Sequence, residues 1–157
     1  MKVVDLGAVT GEGERRHDGV TPTICSPQVA RGLGQGLGKG LPTHAAEDIW
    51  AVGLLTFELL NKRHPFLDGQ IGRDAILAKI TRVDTAAVNT VLLRATGQQR
   101  SFFEQCFEVD PMKRSSAAKL IQSGFVSGKT APLPCASTAF AAAKTLPLPY
   151  VFHCLRG

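Results

Sequence analysis

Apolar positions are densest in one stretch of the chain, Asp48-Ile49-Trp50-Ala51-Val52-Gly53-Leu54-Leu55-Thr56-Phe57-Glu58-Leu59-Leu60. Hydrophobic side chains fall on nearly every face at the helical period, so the pattern predicts a central helix over 48–60, buried on all sides. Asp48 suits its start, because a carboxylate accepts orphan N–H groups and faces the positive end of the helix dipole. The flanking pattern is weaker. Residues 2–7 predict a short strand ending in a turn at Gly7. Residues 8–21 are polar and glycine-rich and predict a loop. Residues 21–28 predict extended chain, since a residue before Pro22 or Pro27 is pushed out of the helical region. Residues 31–40, with glycine at alternate positions, predict a flexible loop.

After the central helix, residues 61–66 read as a helix exit ended by Pro65. Residues 74–82 place Ile76, Leu77 and Ile80 on one face of a short helix, and 85–93 repeat that pattern less clearly. Residues 99–107 set Phe102, Phe103, Cys106 and Phe107 at helical spacing, a core helix. Asp110-Pro111 breaks the chain, and Ser115-Ser116 starts a last helix with Ala117, Leu120 and Ile121 on one face. Residues 127–157 hold Pro132, Pro134, Pro147 and Pro149 and no acidic residue; this tail is expected to be disordered or loosely packed.

Composition narrows the class. A chain of 157 residues can bury one core. Its net charge of +5 is spread thinly, with Arg15-Arg16-His17 the densest cluster, so no nucleic-acid partner is expected. Cys25, Cys106, Cys135 and Cys154 form no C-x-x-C and no zinc spacing, which points to reduced thiols. Asp5 interrupts the region where a signal peptide would be apolar. Asp48 and Glu58 interrupt the longest apolar region, so no membrane span is expected. A cytoplasmic setting follows as the expectation. Two glycine-rich stretches invite a phosphate-loop reading. Residues 31–40 fit neither G-x-G-x-x-G nor G-x-x-x-x-G-K-[ST], and in Ser127-Gly128-Lys129-Thr130 the leading glycine, Gly124, comes one residue late.

Five further motifs run in one order. Asp5-Leu6-Gly7 follows Lys2, Thr21-Pro22 precedes Ser26-Pro27-Gln28, and Asp48-Ile49-Trp50 precedes Gly53. Pro65-Phe66 comes next, then Asp110-Pro111 with Arg114 and the run from Leu120 to Phe125. Together they resemble the C-terminal lobe of a eukaryotic-type serine/threonine protein kinase over residues 2–126. The matching family motifs are D-F-G, T-P-x-Y-x-A/S-P-E, D-x-W-x-x-G, P-F and D-P-x-x-R. The resemblance implies a mainly α, kinase-like C-lobe over 1–126, with an activation segment at 5–28.

The resemblance also implies roles. Asp5 would ligate the magnesium that bridges the ATP phosphates, against the plainer reading of a strand-end turn residue. Thr21 would support the catalytic aspartate and the substrate floor, or be a turn threonine before proline. Asp48 would hold the backbone of the catalytic loop. Trp50 and Gly53 would be structural, as would a pairing of Gln28 with Arg114. Thr10, Thr21 and Thr23 are candidate phosphorylation sites, with Arg15, Arg16 and His17 nearby as cations.

The departures are as informative. The glycine-rich loop, the V-A-I-K lysine and the catalytic loop H-R-D-x-x-x-x-N, which stand upstream of D-F-G in the family, have no counterpart here. ATP and magnesium belong to the complete domain, and neither is expected to bind this chain well. Gln28 stands where the family has glutamate, Ile24 where it has tyrosine and Leu6 where it has phenylalanine. In the family that glutamate pairs with the arginine matching Arg114; losing one partner of a buried ion pair costs about 3–5 kcal/mol, and less is expected here because Gln28 can still offer an amide oxygen. Two readings stay open: a part of a serine/threonine kinase acting on a protein substrate, inactive by itself, or a pseudokinase-like module that binds a protein partner. A phosphate-binding protein built on Lys129 is a third. In either kinase-like reading the lobe is expected to leave apolar surface in water.

Overall fold

The computed structural model describes residues 9–15, 20–37, 40–69 and 72–128. The strand expected at 2–7, Asp5 and the tail beyond Gly128 lie outside them. The described residues fold as helices, with one isolated antiparallel bridge between Arg15 and Pro42. A 3-10 turn, Pro22–Ile24, leads into α1 (Pro27–Gly34) and the long α2 (Ala45–Asn61). There follow α3 (Arg73–Thr81), α4 (Thr85–Leu92), α5 (Gly97–Cys106), α6 (Ala117–Ile121) and α7 (Gly124–Ser127). This mainly helical architecture agrees with the sequence expectation.

Helix α2 packs on α5, while α1 packs on α3. The α2–α5 contact is close because Gly53 has no side chain. A Cβ built there would lie 2.6 Å from Cys106 Cβ and 2.8 Å from Phe107 Cε1. Around it, aromatic rings form the core. Trp50 stacks on Phe66 at 5.5 Å and meets Phe107 edge-on at 5.3 Å; Phe57 meets Phe103 edge-on at 5.3 Å. Such ring pairs add about 0.5–1.5 kcal/mol each beyond the area they bury. Cys106, enclosed among them, is an inert thiol: burial pushes its pKa up to about 12.

Several expectations change. The central helix starts three residues before Asp48, at Ala45, and its N-cap is His44, whose Nδ1 accepts from Ala46 N at 3.1 Å. Asp48 sits inside the first turn, where its charge still suits the dipole. Nor is α2 buried all round. Val52, Leu55 and Leu59 are 43%, 59% and 64% exposed, and Leu60 is exposed as well. Apolar periodicity says which faces could be buried, not whether a neighbour covers them.

The supposed loop at 31–40 begins as helix, for Arg31 to Gly34 complete α1. Burial of Val29 and Ala30 outweighs the weak helical preference of the glycines, and Gly32 lets Leu41 approach closely. The stretch 21–28 is extended at Thr21, Cys25 and Ser26, but each proline opens a turn of helix. Pro fixes φ near the helical value and lacks an N–H that would be orphaned there anyway. The pattern at 85–93 is a full helix, capped by Asp84, whose carboxylate accepts from Ala87 N at 2.8 Å. Ile121, expected on the buried face of the last helix, is exposed, whereas Leu120 is buried.

Candidate functional site

Asp110-Pro111 forms a tight turn that presents Arg114. The Asp110 carbonyl accepts from the N–H groups of Lys113 and Arg114, both at 3.1 Å, and its carboxylate accepts from Met112 N at 3.0 Å. Arg114 then turns inward and is 6% exposed. Its Nε donates to the Glu108 carbonyl at 2.8 Å and Nη1 to the Ala46 carbonyl at 2.7 Å, while Nη2 donates to Gln28 Oε1 at 3.3 Å. The guanidinium lies 5.1 Å from the centre of the Trp50 ring, within cation–π range. One side chain thus ties the start of α1, the start of α2 and the turn after α5. Burial lowers its pKa to about 10, partly offset by the Glu108, Glu47 and Asp110 carboxylates, so it stays charged at neutral pH. Gln28 Nε2 is buried and finds no acceptor among the described residues.

The second cluster holds the segment before α1. His64, half-buried after α2, accepts at Nδ1 from the N–H groups of Phe66 and Leu67, both at 3.1 Å. Two donors on Nδ1 place the proton on Nε2, which donates to the Thr23 carbonyl at 2.8 Å. Burial lowers the pKa of His64, against smaller upward effects of the Thr23 bond and Glu58. Arg73 Nη1 donates to the Val20 carbonyl at 3.1 Å. Residues 20–24 are therefore pinned from two sides. In the sequence His64 stands in a helix exit, and nothing local marks its contact with Thr23. The His-Pro-Phe run signals only the local turn, in which a histidine precedes two backbone N–H groups, and not the bond to Thr23.

A third set of contacts fixes the earlier part of the segment. Gly13 N donates to the Thr43 carbonyl and Thr43 N to the Glu14 carbonyl, both at 2.9 Å. Residues 11–15 thus run beside 42–43.

The protein kinase domain model matches residues 1–126. The chain belongs to the protein kinase family. It is 34% identical over 83 residues to mitogen-activated protein kinase kinase kinase 15 of Mus musculus, covering 52% of this chain and 6% of the relative. Against a probable serine/threonine-protein kinase of Dictyostelium discoideum the identity is 27% over 140 residues, or 85% of this chain and 19% of that protein. A solved twitchin kinase region from C. elegans superposes with a TM-score of 0.49 at 22% identity, over 70% of this chain and 18% of that one. The chain thus spans under a fifth of the length of these kinases.

Within this kinase-family chain, the residues singled out in sequence do not converge on one point. Gln28, Trp50 and Arg114 come together, and Gly53 lies one helical turn from Trp50. Asp48 is exposed, and its carboxylate makes no hydrogen bond among the described residues. Thr21 is exposed and its carbonyl accepts from Ile24 N at 3.2 Å, closing the 3-10 turn. Thr23 contributes its carbonyl to His64, and Thr10 is half-buried. Asp5, Arg16, His17 and Lys129 lie outside the described residues. Among the described residues no group of three His, Cys, Asp or Glu side chains is placed to hold a metal ion. No helix among them is long and apolar enough to cross a membrane.

Proposed function

We propose that this chain is the structural and substrate-facing part of a serine/threonine protein kinase domain, and that it does not transfer phosphate by itself. In the complete domain, ATP and magnesium supply the phosphoryl group and neutralise its charge. The residues here then hold the segment that a protein substrate meets. Arg114, bound to Ala46, Glu108 and Gln28, anchors the end of that segment to α2. His64 and Arg73 fix residues 20–24, including Thr21, in position. Asp5 is the proposed magnesium ligand, and Thr10, Thr21 and Thr23 are the proposed phosphorylation sites.

The observation that carries this reading is the outward stripe of α2. Asp48, Val52, Leu55 and Leu59 fall on one helical face and are all exposed. Three aliphatic side chains in line with one carboxylate that has no partner among the described residues suit a neighbouring segment that has both apolar side chains and backbone N–H groups to offer. A catalytic loop resting on α2 would meet that description.

The alternative is a pseudokinase-like module that binds a protein and catalyses nothing. Gln28 favours it, since an amide at this position satisfies Arg114 less fully than a carboxylate. The purified chain, mixed with ATP, magnesium and a general protein substrate, is expected to show no phosphoryl transfer above background; measurable magnesium-dependent transfer would overturn the first proposal. The nucleotide sequence upstream of Met1 separates the two readings. An in-frame H-R-D-x-x-x-x-N within about 25 codons supports the kinase. A promoter and an in-frame stop codon there support the binding module.

A further inference from the structure

A cavity of about 360 Å³ opens between the loop after α2, the end of α3 and α4. Its floor is apolar, built from Phe66, Val83 and Val91, each nearly buried. That volume lies at the lower end of the range of ligand clefts, about 300–1,000 Å³, and admits one or two bulky side chains rather than a large cofactor. Its mouth is basic. Lys79 and Arg82 line it from the end of α3, and Arg94 from beyond α4. One carboxylate, Asp68, shares the lining and lies 3.8 Å from Lys79. Arg82 and Arg94 make no ion pair among the described residues. A cation near a helix C-terminus has a local reason, because it complements the dipole. Convergence of three on one apolar cavity is not explained that way.

We propose that this groove is a docking site for an acidic peptide segment of a protein partner, one that inserts a leucine or phenylalanine between flanking Asp or Glu residues. The apolar floor takes the inserted side chain, and the two uncompensated guanidinium groups take the flanking carboxylates, in the bidentate geometry that Arg favours. A nucleic acid fits less well. Phe66, the aromatic ring of the floor, is buried against Trp50 and offers no face on which a base could stack. Because the cations are exposed, binding weakens as salt rises. The proposal stands on the groove's own residues, so it can fail while the kinase reading survives.

The test uses the full 157-residue chain and two fluorescein-labelled nonapeptide pools. Both carry Leu or Phe at the centre; one is flanked by Asp and Glu, the other by Lys and Arg. Fluorescence anisotropy is expected to show salt-sensitive binding of the acidic pool and none of the basic pool. Arg82→Glu combined with Arg94→Glu, both at exposed positions, should weaken the acidic pool at least about tenfold. Ala87→Leu, which fills the groove from its wall, should weaken binding while circular dichroism stays unchanged. Equal binding of both pools, or acidic binding that ignores the Arg82 and Arg94 changes, would overturn the proposal. Binding of a labelled single-stranded oligonucleotide in place of the acidic pool would overturn it in favour of a nucleic-acid surface.

Discussion

On its inward face α2 presents Ile49, Trp50, Gly53, Leu54 and Phe57, all buried, with Trp50 against Phe66 and Phe57 against α5; on its outward face Asp48, Val52, Leu55 and Leu59 stand in water. Both faces are mainly apolar, Asp48 apart. They differ in shape. The inward face alternates large rings with a bare glycine, so Cys106 and Phe107 settle against the backbone. Aliphatic chains at helical spacing line the outward face, a surface that any apolar segment could cover. Close complementarity marks the face that folds the lobe, and generic apolarity the face left for a later contact.

The difference can be broken from the inside first. Phe57→Ala removes a ring in edge-on contact with Phe103 and should cost about 3–5 kcal/mol, read by chemical denaturation. On α1, where Arg114 bridges to the start of α2, Gln28→Glu replaces an amide that has one buried nitrogen without a partner among the described residues with a carboxylate facing Arg114. It should raise stability by about 1–2 kcal/mol and the melting temperature with it. A loss of stability instead would mean that Gln28 fits its pocket better than an ion pair does.

His64 sharpens the comparison through pH. Its folded-state pKa is lowered by burial, so the unfolded chain binds the proton more readily. Its contribution is present in full above the unfolded value near 6.5 and declines as the pH falls through that value toward the folded one. Protonation also takes Nδ1 away from the N–H groups of Phe66 and Leu67. Amide exchange at those two residues should rise on acidification, and His64→Gln should flatten the dependence. The smallest effect belongs outside. Leu55→Gln with Leu59→Gln should change stability by less than about 0.5 kcal/mol each, while reducing self-association in sedimentation velocity. A cooperative loss of several kcal/mol would mean that the outward face is part of the fold.

Much of the helical scaffold is legible in the chain. Phe102, Phe103, Cys106 and Phe107 fall at helical spacing and are buried, and Pro65 ends a helix exit as expected. Helix starts are less legible. His44 caps α2 through a ring nitrogen, a role its residue type does not advertise, and Asp48 draws attention one turn too late. Glycine also misleads at 31–34, because local preference is worth about 1 kcal/mol per residue and a packed neighbour outweighs it. In the candidate site, the Gln28–Arg114 contact is the one that the kinase resemblance implies, while the His64–Thr23 bond joins residues 41 apart and has no local signature.

By itself the sequence determined the helical class, the kinase family motifs and their order, and the presence of an apolar helix at the centre. It did so because periodicity, turn chemistry and motif spacing are properties of neighbouring residues. Tertiary structure decided which face of that helix is covered, where Arg114 sends its three hydrogen bonds, which tautomer His64 adopts and that three cations meet over one apolar cavity. Each of these depends on groups far apart in the chain arriving within a few ångströms, and no local pattern encodes that distance.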